Sequence, residues 1–278
     1  MTSKILRPLG IGDLLDEMFD LYKRNFLLFV GISGVVMLPY TFFLALAMAP
    51  WYKMMGNMQA NPQHIDPMTG LAPMLVGMGL VIILGSFMQV IATAATTWAV
   101  SSCYLGRKPS ILEAYNAVIS KTIPFAVTGL IVSVALVIGF MCCVLPGIVG
   151  LVFLAFVPAV MVIENRAYID GISRSFQLAA SDFWRIFVYG LVAGILIYAI
   201  SIIFALPVQI IIMTNPSRLV QASMVSQIIQ GIGNTILVPL WVIGLVLLYY
   251  DVRVRREGFD IQLLAESMTS GDAPTSPQ

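Results

Sequence analysis

Charge is scarce in this sequence. Only 10% of its 278 residues are Asp, Glu, Lys or Arg, and 59% are hydrophobic, whereas ordinary soluble domains carry about 25% charged residues. A soluble protein of this length needs charge to cover its surface, and so much apolar surface is the kind that lipid covers. Histidine is rarer still, with His64 alone. The three cysteines, Cys103, Cys142 and Cys143, show no CxxC spacing for zinc and no disulfide framework. The adjacent pair reads as small apolar filling of a helix. HExxH, GxSxG and Walker sequences are missing. A metal-dependent phosphodiesterase would need clustered carboxylates, usually with histidines, around a divalent ion. The expectation is a protein that is not an enzyme, with no catalytic residues, metal ligands or cofactor. A net charge of +1, with basic residues in short scattered runs, argues against nucleic acid as a partner. The first 25 residues carry eight charges, which leaves no room for the apolar core of a signal peptide.

What is present is a set of long charge-free intervals. Arg24 and Lys53 are separated by 28 uncharged residues, Asp66 and Arg107 by 40, and Lys121 and Glu164 by 42. Arg185 to Arg218 and Arg218 to Asp251 are 32 each. A bilayer core of about 30 Å needs about 20 helical residues. The 42-residue interval therefore holds two spans, split by the turn signal Pro146-Gly147. The 40-residue interval holds one, because its first part is polar. The six spans predicted are 26–49, 74–101, 123–145, 147–163, 186–206 and 228–250. Thirteen of the fifteen Lys and Arg residues fall on one side of this arrangement, with only Lys53 and Arg218 on the other. That bias puts both termini in the cytoplasm.

Residues 13–26 are amphipathic. Leu14, Leu15, Met18, Phe19 and Tyr22 recur at helical spacing, with Asp16, Glu17, Asp20 and Lys23 opposite. Asp13 suits an N-cap, and Lys23 and Arg24 close the helix as its dipole prefers. Residues 170–183 match this segment, pairing Asp13 with Asp170, Phe19 with Phe176 and Asn25 with Asp182. Residues 111–125 form a weaker third copy. The prediction is an all-α integral membrane protein of three hairpins, each preceded by an interfacial amphipathic helix. Residues 1–264 form the membrane domain and 265–278 a disordered polar tail.

Two sets of side chains are candidates for function. Gln89, Thr93, Asn234 and Thr235 are polar residues inside predicted spans, and Ser86, Thr96 and Thr97 extend the stripe. Such groups can line a substrate path, or simply make hydrogen bonds between helices. Pro39, Pro158 and Pro239 can break helices around a cavity or only kink them. Gly190 and Gly194 form a GxxxG expected to pack within the chain. On the cytoplasmic side, Arg166, Arg174, Asp251, Arg253, Arg255 and Arg256 are candidates to bind an anionic headgroup or a protein partner. Plain anchoring by basic residues, with local ion pairs, is the other reading and the favoured one. Met54, Met55, Met58, Met68 and His64 are soft donors that suit Cu(I), yet 16 methionines occur overall, so no metal is assigned.

Leu9-Gly10-Ile11-Gly12-Asp13 with Leu21-Tyr22-Lys23-Arg24-Asn25-Phe26, then Leu145-Pro146-Gly147-Ile148, Glu164-Asn165-Arg166 and Ser173-Arg174-Ser175-Phe176, and finally the run from Leu248 to Asp260, carry a resemblance. Together they are similar to the membrane-domain family of glycerophosphoryl diester phosphodiesterases, over about residues 5 to 264. The resemblance implies a six-helix membrane domain in a prokaryotic plasma (inner) membrane. The phosphodiesterase domain of some members is expected to be absent, so that activity does not carry over. The function expected is a non-enzymatic, multi-pass membrane protein that organises lipid or a protein partner at the cytoplasmic leaflet. The alternative is a carrier or exporter of a small, weakly polar or amphiphilic substrate.

The basic bias makes a direct prediction. In intact cells, a cysteine replacing His64 reacts with an impermeant thiol reagent and one replacing Ser270 does not. The opposite labelling pattern would invert the topology.

Overall fold

A computed structural model of the chain describes residues 9–60, 67–214 and 219–258. Among them there are helices and no strand. The order is α1 (Ile11–Arg24), α2 (Phe26–Ala60), α3 (Pro67–Tyr104), α4 (Ile111–Ile119), α5 (Thr122–Cys142), α6 (Val144–Leu154), α7 (Val157–Ala159), a π-helical turn (Val160–Glu164), α8 (Tyr168–Ser181), α9 (Phe183–Thr214) and α10 (Leu219–Glu257). Five stretches of described helix are long and apolar enough to cross a bilayer: Phe26–Tyr52, Thr122–Cys142, Val144–Glu164, Phe183–Pro207 and Val225–Glu257. These are the marks of a helical membrane protein, in which every backbone group must find its hydrogen bond inside its own helix. The residues of the tail, 265–278, and His64 of the methionine-rich loop lie outside the described residues.

The short helices α1, α4 and α8 each run directly into a long one, and they bury equivalent positions. α1 buries Leu14, Met18, Leu21 and Tyr22, and α8 buries Gly171, Ser175, Leu178 and Ala179. Each of these pairs is offset by the same 157 residues that separate Asp13 from Asp170. α4 buries Ala114 and Val118 at the spacing of Leu14 and Met18. The breaks match as well. Asn25 (φ −123°, ψ 30°) ends α1 and Asp182 (φ −138°, ψ 36°) ends α8. α1 begins earlier than the sequence suggested: Gly10 is its N-cap, and the Asp13 carboxylate accepts the Gly10 N–H at 3.0 Å.

The long helices pair antiparallel. On α2 and α3, the Tyr40 ring lies against Gly85 and the Ala47 carbonyl against Gly77. On α9 and α10, Phe204 faces Gly233 and Tyr189 faces Gly244. On α5 and α6, Gly139 faces Gly147 and Leu136 faces Gly150. The pairs are unequal in burial. In the apolar window of Val225–Glu257, 67% of residues are buried inside the protein, against 11% for Thr122–Cys142. α10 is thus the central helix and α5 an outer one. The core gathers at one end of the bundle around Leu14, Met18, Phe29, Phe156, Ile243 and Leu248.

Two expectations need correction, and one open alternative, at Pro158, is decided. The turn between α5 and α6 is at Cys143 (φ −171°, ψ 155°), not at Pro146-Gly147. Proline is tolerated in a first helical turn, where its missing N–H has no partner to lose, so Pro146 sits inside the start of α6. Gly147 serves close packing instead, since a Cβ there would run into the Phe140 ring. The span after this turn is also not continuous. Pro158 cannot donate to the Leu154 carbonyl, and the helix stops at Leu154 before resuming as α7 and the π turn. Finally, a Cβ built at Gly190 or Gly194 meets nothing within 4 Å, so the GxxxG face is open rather than packed.

Glycine substitutions separate these cases. A Cβ at Gly171 would lie 2.7 Å from the Arg166 carbonyl oxygen, a backbone atom that cannot swing aside. Gly171→Ala is expected to cost about 1–3 kcal/mol in unfolding of the purified protein in nanodiscs. Gly194→Ala should be neutral or stabilising by the same measurement.

Candidate functional site

At the end of the bundle where α3, α10 and the π turn finish, carboxylates and arginines from distant stretches meet. Asp251 on α10 is 3% exposed. It accepts the Leu9 N–H at 2.8 Å, Arg185 Nε at 2.9 Å and Arg255 Nε at 3.1 Å. Arg185 and Arg255 also donate to the Leu9 carbonyl, at 2.5 and 2.7 Å. A second group forms around Glu164, at the close of the π turn. Arg174 Nε donates to both of its oxygens, at 2.9 and 3.1 Å, and the Tyr249 hydroxyl donates at 2.8 Å. Arg174 continues to Glu257 at 2.5 Å, and Glu257 accepts Arg253 Nε at 3.0 Å. The Arg253 guanidinium stands 5.7 Å from the centre of the Tyr249 ring. A third pair joins Arg256 to Asp182 at 2.7 and 2.8 Å. The hydrogen bond from Arg256 holds the Asp182 carboxyl below its ordinary range. This link stabilises the fold above the usual carboxylate value and is lost as pH falls through the lowered one.

The structure therefore brings all six predicted rim residues into ion pairs with other side chains of the chain. Arg174, Asp251, Arg253, Arg255 and Arg256 are all engaged. Arg166 is the loosest, with its side chain 56% exposed and 3.6 Å from Glu164. Sequence reasoning missed Asp182 and Arg185 as partners. Their flanking of Phe183, at the break between the amphipathic and long helices, was the available signal.

Deeper in the bundle lies a cavity with two lobes. The larger, about 550 Å³, is apolar and lies among Val90, Phe125, Gly129, Leu151, Ile186 and Gly190. The smaller, about 370 Å³, holds Gln89, Thr93, Thr97, Ser201 and Asn234. Gln89, Thr93, Ala155, Pro158, Trp241 and Leu245 line both. Each lobe has the size of a small-molecule site. The i, i+4 stripe on α3 places Gln89, Thr93 and Thr97 on one face, and Asn234 reaches the same space from α10. Thr235 does not. It is buried one residue on, donates to the Gly231 carbonyl at 2.8 Å, and turns its methyl toward Gly34 of α2. The break at Pro158 forms part of the wall. Thr97, named in the stripe, lines the smaller lobe, whereas Trp241 was not predicted as a site residue and has no sequence signal beyond being a large ring inside a span.

Removing one partner of a buried ion pair leaves an uncompensated charge. Asp251→Asn, which strands Arg185 beside buried backbone, is expected to lose about 3–5 kcal/mol of stability. Asp20→Asn, which breaks only the exposed pair with Arg24, should stay within about 1 kcal/mol. Thermal unfolding in one detergent compares the two; equal losses would deny Asp251 its anchoring role.

No curated protein and no solved structure matches this chain. Residues 75–253 match the family model described as a domain of unknown function, DUF7847. The matched stretch contains every residue that lines the cavity. It covers well over half of the 278 residues, and the chain belongs to the DUF7847 family.

Proposed function

We propose that this protein is a carrier for a weakly polar, amphiphilic molecule bound in the two-lobed cavity. In this reading six helices cross a prokaryotic plasma membrane as three hairpins, α3 being the sixth. Both ends and the charged rim lie in the cytoplasm, and α1, α4 and α8 rest on the inner leaflet. The observation that carries the proposal is convergence. Gln89 and Thr93 from one hairpin and Asn234 from another meet in a single apolar cavity, beside a helix broken at Pro158. Discontinuous helices at mid-membrane are how transporters build sites.

Organising lipid at the rim is the weaker reading. A headgroup phosphate would have to displace carboxylates already seated on Arg174, Arg253 and Arg255. Arg256 is likewise held by Asp182, and Arg166, half-exposed and 3.6 Å from Glu164, is the most loosely held of the set.

The two readings part in one assay. Vesicles containing the protein should move a fluorescent long-chain alcohol between leaflets several-fold faster than empty vesicles. Gly190→Phe places a ring in open space of the larger lobe and should slow transfer, as should Asn234→Leu. Arg166→Gln with Arg256→Gln should leave it unchanged. Transfer no faster than in empty vesicles, or an equal loss in the arginine variant, would overturn the carrier.

A further inference from the structure

Hydroxyls in these helices generally satisfy themselves. Thr96 donates to the Ala92 carbonyl at 2.7 Å, Thr128 to Pro124 at 2.8 Å, Ser133 to Gly129 at 2.8 Å and Ser201 to Tyr198 at 2.7 Å. This back-bonding is the usual resort of Ser and Thr inside a helix. Thr97 departs from it. It is 0% exposed, its Oγ1 has no hydrogen-bond partner, and it lines the smaller lobe. Ser33, the other such hydroxyl among the described residues, lines neither lobe. Among the described residues, no hydrogen bond engages the side chains of Gln89, Thr93 or Asn234 either. A buried donor left unmade carries its full desolvation penalty, and that penalty falls on Thr97; Thr93 is half-buried, and Gln89 and Asn234 are exposed beside the same space.

Charge is missing from that space. None of the residues lining either lobe is Asp, Glu, Lys, Arg or His. The arginines nearest in sequence, Arg185 and Arg253, are already held by Asp251 and Glu257. An ionised head placed beside Thr97 would face neutral dipoles and hydrocarbon, which cannot replace its hydration. A head with no polar atom would leave Thr97 unsatisfied.

Resting on the carrier reading, we infer that the cargo is an uncharged, lipid-like molecule bearing a hydroxyl, carbonyl or amide group. That group is received by Thr97, with Thr93, Gln89 and Asn234 around it. Its hydrocarbon lies in the larger lobe, against Val90, Leu151 and Gly190. Asn and Gln offer both donors and an acceptor, and Thr offers one of each, so either a donating or an accepting head can be seated. The pocket selects by neutrality first and by hydrogen bonding second.

The test uses three photoactivatable probes with the same sixteen-carbon chain, ending in a hydroxyl, a methyl or a phosphate. The full chain in nanodiscs of zwitterionic lipid is labelled, and the modified peptides are located by mass spectrometry. The hydroxyl probe should label the peptides holding Gln89 to Thr97 and Asn234 to Val246, at least about tenfold above the phosphate probe. Thr97→Val keeps the shape and removes the hydroxyl. It should cut that labelling about three- to tenfold, and Thr97→Ser should retain it. Equal labelling by the phosphate or methyl probe, or no effect of Thr97→Val in a folded protein, would overturn the inference and leave the cavity as a site for hydrocarbon. If no probe reaches these peptides, the carrier reading falls with it.

Discussion

Asp251, one buried carboxylate, ties three distant parts of this chain together. It receives the backbone N–H of Leu9, the guanidinium of Arg185 at the start of α9 and that of Arg255 on its own helix. A carboxylate taken from water is tolerable only with close positive partners and filled lone pairs, so these three stretches must arrive together. The entry to α1, the first turn of α9 and the last turns of α10 are thereby fixed at one end. The central place of α10 follows, because it is the helix that both outer units hold.

Glu164 repeats this logic for the middle unit. It closes the π turn and gathers Arg174 from α8 with Tyr249 from α10, and Arg174 reaches on to Glu257. Tyr249 is fully buried and stacks edge-on with Phe156, just before Pro158. The segment from Ala155 to Glu164 therefore has two roles. Its upper part walls the cavity, and its lower part is locked into the charged rim. The contrast with the α5–α6 turn is instructive. There Gly139 and Gly147 let two backbones touch, whereas Gly190 beside the cavity leaves space that no side chain fills.

Several features were open to reading in the residues alone. Charge-free intervals of 28 to 42 residues demand helices wherever backbone groups are shielded from water, and helices stand there. The pairing of Asp13 with Asp170 carried through to equivalent buried positions, because amphipathic spacing records which side of a helix faces the core. Pro146-Gly147 was misplaced because the same dipeptide serves as a turn or as the first turn of a helix, and local sequence does not distinguish them. The arginines near α10 were counted correctly as one basic cluster. Glu164 was grouped with them, and Glu257 stands one turn from Arg253 on α10, but Asp182 and Arg185 lie in a separate stretch that only packing brings to them.

The sequence by itself determined an all-helical chain, where its helices run, and which end of the bundle carries charge. Those properties follow from length, hydropathy and period, all of which are local. Tertiary structure decided whether each polar side chain is spent or free. Thr96 and Thr97 are neighbours of one type on one helix, set about 100° apart by the 3.6-residue turn. One bonds back to its own helix and the other, unpartnered, stands in the wall of a cavity. Asn234 and Thr235 divide in the same way, one toward the cavity and one toward α2. A rotation of one residue about a helix axis separates structural from functional here, and only the neighbouring helices set that angle.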